Sequence, residues 1–310
     1  MAQKTLGTKS LSVFMLVMFF TINAFPSENF DLSKNLVNIS DFTSGGPGKD
    51  AIPAIVNPKF IPGSKPFSVF KSDLVIGVHS GGEAKAYPIN ILNRHEIVND
   101  HIGGVPIAVT WCPLTKSGMV FKRRIRNETL TFGVSGLLYN SNLVMYDRNN
   151  NGLWPQLTQG AVTGSFSGET LTMIPSRVMT WGDWKKIYPG TKILFRERGH
   201  FRYSTDPYDH YHLSSATMFP VKYMDNRLPP KKIVIGITIK GISKAYPIER
   251  LKRNYSKPIE DIIEGRKIRI YRGKKDTAYI TDEDENLLPA VTMYWFAWSS
   301  FNKKTLIYGQ

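Results

Sequence analysis

The sequence predicts an α+β fold, mainly antiparallel β with short helices, on an internally duplicated β-rich scaffold. Three observations predict it. Short β-branched runs alternate with turns rich in glycine and asparagine along most of the 310 residues. One strand–turn–strand unit ending in Ala-Tyr-Pro occurs twice, and only three stretches, near residues 88–94, 181–188 and 247–253, have helical character. With 42% hydrophobic and 12% aromatic residues, the chain has enough apolar material for a large core, which excludes disorder and fibrous repeats.

Taken in order, residues 25–65 read as an extended arm, because Pro53, Pro58 and Pro62, with Pro66 just beyond, prevent a long helix. Within it, Gly45-Gly46-Pro47-Gly48-Lys49-Asp50 is turn chemistry without the spacing of a phosphate loop. Val75-Ile76-Gly77-Val78 then leads to Lys85-Ala86-Tyr87-Pro88-Ile89, and Val234-Ile235-Gly236-Ile237 leads to Lys244-Ala245-Tyr246-Pro247-Ile248, both at an offset of 159 residues. After a two-residue insertion the match resumes at Asp100/Asp261 and Ile107/Ile268. Two copies at this spacing are too few and too far apart for a solenoid. Each proline suits a first helical turn. Residues 97–100, the turn at 101–104 and the run 105–111 read as a hairpin, as do 119–126 against 129–134, with 143–147 as a further strand. The expected organisation is a first half, 66–215, carrying the candidate site, and a second, degenerate half, 216–310, packed on it.

The N-terminus reads as a signal peptide over residues 1–24. Lys4 and Lys9 precede an apolar run, 11–20, and small residues follow up to Ala24. That run is half the ~20 residues a membrane span takes. The chain is therefore expected to be exported, to the periplasm or the extracellular space. Forty Lys and Arg against 25 Asp and Glu give a formal charge of +15, which favours anionic envelope lipid or polysaccharide as a partner. The basic runs are scattered and lack a base-reading motif, so no nucleic-acid partner is expected. A single cysteine, Cys112, excludes an internal disulfide framework and multi-cysteine metal sites.

What only one copy carries is the better candidate for chemistry. The first has His95-Glu96 after its short helix, Asn99-Asp100 further on, and Trp111-Cys112-Pro113-Leu114 at the end of its hairpin, where the second has Asn254-Tyr255, Pro258 and Arg272-Gly273. Cys112 at a strand end is a nucleophile or a soft ligand, His95 a base or second ligand, and Asp100 an orienting carboxylate. Cys112, His95 and Glu96 together suit one copper or zinc ion. If residues 95–100 are extended, Glu96 and Asp100 share a face and His95 points away from Glu96. Asn99, Ser117, Tyr146, Asp147 and Trp154 are expected to wall a pocket. His79, His101, His200, His210 and His212 are weaker candidates; the last two would chelate only if their segment is a strand, and residues 203–211 also read as an exposed aromatic loop.

These motifs carry a resemblance. Gly45-Gly46-Pro47-Gly48-Lys49-Asp50, Ala86-Tyr87-Pro88, His95-Glu96-Ile97-Val98-Asn99-Asp100, Val109-Thr110-Trp111-Cys112-Pro113-Leu114, Ser135-Gly136-Leu137-Leu138 and Met145-Tyr146-Asp147-Arg148, in this order, resemble the exported family catalogued as domain of unknown function 3179. The resemblance runs over about residues 45–308 and implies a secreted or lipid-anchored protein, with no established activity. The chain departs from the family pattern at Arg94, where an aromatic residue is frequent, and at Asn150-Asn151-Gly152, where the family continues with a Thr-Glu-Ser type segment.

Three readings follow from the residues. Cys112 and His95, with Glu96 or Asp100, form a metal-binding or redox site; Cys112 and His95, with Asn99 or Asp100, form a cysteine-dependent hydrolase or transferase; or the chain is a non-catalytic envelope module that binds an anionic polymer.

Overall fold

The computed structural model describes residues 29–65, 69–195, 203, 205–251 and 257–310. The expected signal peptide, His200 and Asn254-Tyr255 lie outside the described residues. The protein is mainly antiparallel β, 42% strand with few short helices, and its five larger sheets are arranged like the blades of a propeller. That ring is not evident from the strand pattern. Sheet I orders Phe42–Ser44, Phe132–Tyr139, Asn142–Asp147 and Leu153–Pro155. Sheet II orders Arg177–Thr180, Leu74–Ser80, Glu83–Pro88, Lys192–Phe195 and Lys59–Pro62. Sheet III orders Ile55–Val56, Ile97–Ile102, Val105–Cys112 and Ser117–Lys122. Sheet IV orders Val291–Tyr294, Ile233–Ile239, Ile242–Pro247 and Leu306–Ile307, and sheet V orders Ile259–Ile263, Arg266–Arg272 and Ala278–Asp282. No helix among the described residues is long and apolar enough to cross a membrane.

The 97–102/105–112 hairpin closes through Gly103 and Gly104, both at positive φ (53° and 78°), the backbone a tight two-residue hairpin turn demands. The expected hairpin of 119–126 with 129–134 does not form as such. Ser117–Lys122 pairs back onto Val105–Cys112, a two-residue ladder joins Arg124–Ile125 to Glu128–Thr129, and Phe132–Tyr139 pairs with Asn142–Asp147. The arm is not free either: Phe42–Ser44, Ile55–Val56 and Lys59–Pro62 each pair into a different sheet. Its glycine-rich turn packs on a bulge of sheet I, where Gly136 (φ 79°) leaves so little room that a Cβ would stand 2.3 Å from the Pro47 carbonyl.

Sheets II and IV share details beyond the sequence match. Ile76 faces Tyr87 as Ile235 faces Tyr246, and a parallel strand adds beside Lys85-Ala86 and beside Lys244-Ala245. Trp184 lies over Gly77 and Trp298 over Gly236, and each indole N–H donates to a threonine hydroxyl, Thr191 at 2.9 Å and Thr305 at 2.8 Å. Both glycines are there for space: a Cβ on either would come within 2.3 Å of the tryptophan ring. Gly77→Ala and Gly236→Ala are each expected to destabilise the protein by about 2–3 kcal/mol through overpacking, read as a lower urea midpoint. An unshifted midpoint in either variant would mean that the tryptophan moves freely.

Candidate functional site

Cys112 ends the strand Val105–Cys112, and its side chain enters the core cluster formed with Ile97, Leu114, Met119, Phe121 and Tyr211. Burial pushes the thiol up to about 11, the nearby Glu96 charge adds to this, and contacts with Thr115 and the Leu143 backbone oppose it. At neutral pH it is a protonated, free thiol.

Glu96 lies within electrostatic range of the thiol, and the chain does not run extended before the strand. The helix Ile89–Leu92 starts at Pro88, whose fixed φ suits a helix entry, and the Glu96 N–H closes onto the Leu92 carbonyl at 2.8 Å. Glu96 then takes φ 55°, a left-handed conformation that is uncommon for a side chain of its size. Its own carbonyl accepts from Trp111 N–H at 2.8 Å, so the turn is pinned to the neighbouring strand. The residue is buried, burial alone pushes its carboxyl up to about 8, and that carboxyl has no hydrogen-bond partner among the described residues. The left-handed backbone and the buried carboxyl near the thiol make Glu96 and Cys112 the candidate pair.

The segment expected as an exposed aromatic loop instead packs Tyr211 into the core cluster that holds Cys112. Asp209–Leu213 is a short helix, Tyr211 is buried, and its hydroxyl donates to the Leu114 carbonyl at 2.8 Å. Tyr208 and Tyr211 are both raised above the ordinary phenol range, by burial first and then by the Glu96 and Cys112 charges at Tyr208 and the Cys112 charge at Tyr211. His210 and His212 lie on this helix, not on a strand, so the chelating pair does not arise. The Nδ1 of His212 lies 3.1 Å from the Tyr294 hydroxyl.

His95 is next to Glu96 in sequence but is engaged elsewhere. Its Nδ1 lies 2.7 Å from the Pro53 carbonyl and its Nε2 lies 2.9 Å from the Tyr203 hydroxyl. A carbonyl only accepts, so Nδ1 carries a hydrogen. Among the described residues no group of three or more His, Cys, Asp and Glu side chains is placed to hold a metal ion. Cys112, His95 and Glu96 are thus not gathered as the ligand set expected for copper or zinc. Asp100 corrects a second expectation. From Ile97 the strand alternates, so Asp100 points with Val98 away from Cys112, and the left-handed turn keeps Glu96 off its face. Asp100 accepts from Lys85 Nζ at 2.9 Å and the Tyr87 hydroxyl at 2.7 Å. Asp261 does the same with Lys244 (2.6 Å) and Tyr246 (2.7 Å), which makes this trio a feature of both halves.

The expected pocket wall is a set of buried anchors. The Asn99 side chain exchanges two 2.8 Å hydrogen bonds with the Phe132 backbone and so ties sheet III to sheet I. Ser117 belongs to a buried network, donating to Gln156 at 2.7 Å beside Thr115 and Asn142. Asp147 accepts from the backbone N–H groups of Asn150 (2.6 Å) and Gly152 (3.1 Å) and from the Trp154 indole (2.9 Å), which fixes the turn where the chain departs from the family pattern. Tyr146 donates to Asp50, which also accepts from Arg148 at 2.6 Å, joining the Gly-Lys-Asp turn to the Met-Tyr-Asp-Arg strand.

Sequence reasoning missed Tyr208, Tyr211 and Lys116 at this place. Lys116 sits in the turn between Cys112 and Ser117, at φ 53°. The signal for Lys116 in the sequence is its place in the polar stretch Thr115-Lys116-Ser117-Gly118 just after Cys112-Pro113-Leu114. No curated protein and no solved structure matches the chain. A family described as "Protein of unknown function (DUF3179)" matches residues 49–305, which span Glu96, Cys112 and the tyrosine segment, and the chain belongs to that family.

Proposed function

We propose that the chain is an exported, cysteine-dependent acyl-transfer or hydrolytic enzyme with Cys112 as nucleophile and Glu96 as general base. The observation that carries this reading is the buried Glu96 carboxyl, which has no hydrogen bond among the described residues, held in a left-handed turn within electrostatic range of the buried thiol. The ionised Glu96 takes the thiol proton as sulfur attacks the acyl carbon, and the carbonyl electron pair moves to oxygen. Collapse of the adduct expels the leaving group, which takes the proton from Glu96, and an acyl-Cys112 remains. Water, deprotonated by Glu96, releases the acid and restores the thiol. His95 holds the Pro53 segment and Tyr203 in place. Export rests on residues 1–24, and descent of the two halves from one duplicated unit is supported by their shared registers and tryptophan–glycine contacts. The charge of +15 supports residence at an anionic envelope surface.

The test is acyl transfer from p-nitrophenyl acetate, followed by nitrophenolate release and by mass. Wild-type protein is expected to acetylate at Cys112 with a rate that climbs to a plateau above about pH 8, as Glu96 ionises. Glu96→Gln should be slower by about 10²-fold or more, and Cys112→Ser should form no adduct. If Glu96 were only a charged neighbour, its removal would ease thiolate formation, so equal or faster reaction in Glu96→Gln would overturn the assignment.

A further inference from the structure

We infer that Lys116, together with Lys231, binds an anionic group on the substrate, so that the enzyme acts on acyl compounds carrying a second carboxylate or a phosphate. This rests on the thiol reading for its chemistry. Its own support is a cation without a counter-ion. The Lys116 side chain is half-buried, and among the described residues it makes no hydrogen bond and no ion pair; its one specific contact is the Tyr294 ring, 5.6 Å from the ammonium. Burial lowers its pKa, which records the cost of a poorly hydrated charge. A partly buried ammonium in a left-handed turn, four residues after the nucleophile, is stabilised most simply by an anion from outside.

Lys231 approaches the same tyrosine from a different strand end. Its ammonium lies 6.0 Å from the Tyr294 ring centre and 3.4 Å from that of Tyr211, and it donates to the Tyr211 carbonyl. It too has no carboxylate within ion-pair distance among the described residues. Burial and the Lys116 charge both lower it. His212, between them, is pushed down to about 4 by burial and by both lysines, so it stays neutral and adds donors and acceptors but no charge.

Three carboxylates lie within electrostatic range of Lys116: Asp206, Asp276 and Asp209. None makes an ion pair with it. Asp276 is exposed and 3.7 Å from Arg272, Asp209 is exposed, and Asp206 accepts the Tyr208 N–H at 2.9 Å. Beside Lys231 opens a cavity of about 370 Å³, bounded also by Pro230, Lys232, Glu249 and Asp276; Lys116 lies outside its lining. Tyr211 connects this place to Cys112, since it packs in the same core cluster as the thiol and carries Lys231 on its ring.

The experiment uses full-length Cys112→Ser protein, in which no acyl transfer occurs, titrated with succinate, inorganic phosphate and uncharged succinamide while the unfolding temperature is followed. Succinate or phosphate should raise it saturably and succinamide should not, and the stronger of the two anions identifies which oxyanion the site prefers. Adding Lys116→Met should weaken that binding at least tenfold, Lys231→Met should weaken it less, and Lys116→Arg should restore most of it. Absence of saturable anion binding, or equal binding in Lys116→Met, would overturn the inference. With catalytically competent protein, the p-nitrophenyl monoester of succinate should show a KM at least tenfold below that of the acetate ester, and the gap should close in Lys116→Met. Lys116-dependent anion binding without acetylation of Cys112 would defeat the thiol chemistry and leave the anion site standing. Acetylation with equal KM for charged and neutral esters would do the reverse.

Discussion

Glu96→Gln is expected to stabilise the protein at pH 8 by several kcal/mol while leaving it almost unchanged at pH 5. In the folded state burial holds the carboxyl up at about 8, against an ordinary value of 4.5. Between those values the native protein binds a proton that the unfolded chain has released. Stability therefore falls as pH rises through that window, with nothing lost below the lower value and the full amount lost above the upper one. The ceiling on the loss is about 5 kcal/mol, from about 1.4 kcal/mol for each pKa unit. A glutamine of nearly the same shape does not ionise, and its buried amide costs about as much as the buried neutral carboxyl that it replaces. Urea unfolding at several pH values should thus give a wild-type curve that descends from pH 5 to 8 and a variant curve that is flat over the same span. Two parallel curves would mean that the carboxyl is hydrated in the native protein, and the base assigned to Cys112 would go with it.

A buried acid without a hydrogen bond lowers stability at high pH, which is the cost that the proposed base role of Glu96 carries. The same residue shows which features a sequence can reveal. The hairpin at Gly103-Gly104, the Tyr-Pro helix entries at Pro88 and Pro247, and the separation of Cys112 from the shared scaffold all follow from local propensity and from comparing one half with the other. The conformation of Glu96 does not. Ordinary alternation from residue 95 to 100 places Glu96 with Asp100, and one residue at positive φ breaks it, leaving Asp100 with Lys85 and Tyr87. Sheet closure was hidden for a different reason. The strands that complete sheets II and IV, Arg177–Thr180 and Val291–Tyr294, with the Trp-x-x-Trp helices behind them, recur at an offset of 114 residues, not 159, because sheet I is inserted in the first half only. A search at one fixed offset passes over them.

The second large effect separates scaffold from chemistry at Asp100. Asp100→Ala is expected to cost about 3–5 kcal/mol, because it leaves the Lys85 ammonium, itself buried, and the Tyr87 hydroxyl without their common acceptor. Lys85 would retain the His101 carbonyl at 2.6 Å, a long contact to Glu83 at 3.9 Å and the Phe60 ring at 4.5 Å. Asp261→Ala removes the matching acceptor from Lys244 and Tyr246, but there the lysine and aspartate side chains are 18% and 17% exposed, against 9% each for Lys85 and Asp100, so water replaces part of what is lost. A cost nearer 1–2 kcal/mol is expected. Both variants, assayed at a temperature where they are folded, should acetylate Cys112 at close to the wild-type rate, since neither carboxylate faces the thiol. The informative comparison is therefore between urea midpoint and acylation rate in the same two proteins. An Asp100→Ala protein with wild-type stability and no acylation would return that residue to the catalytic centre, and the shared Lys–Tyr–Asp geometry would then need a functional explanation in both halves.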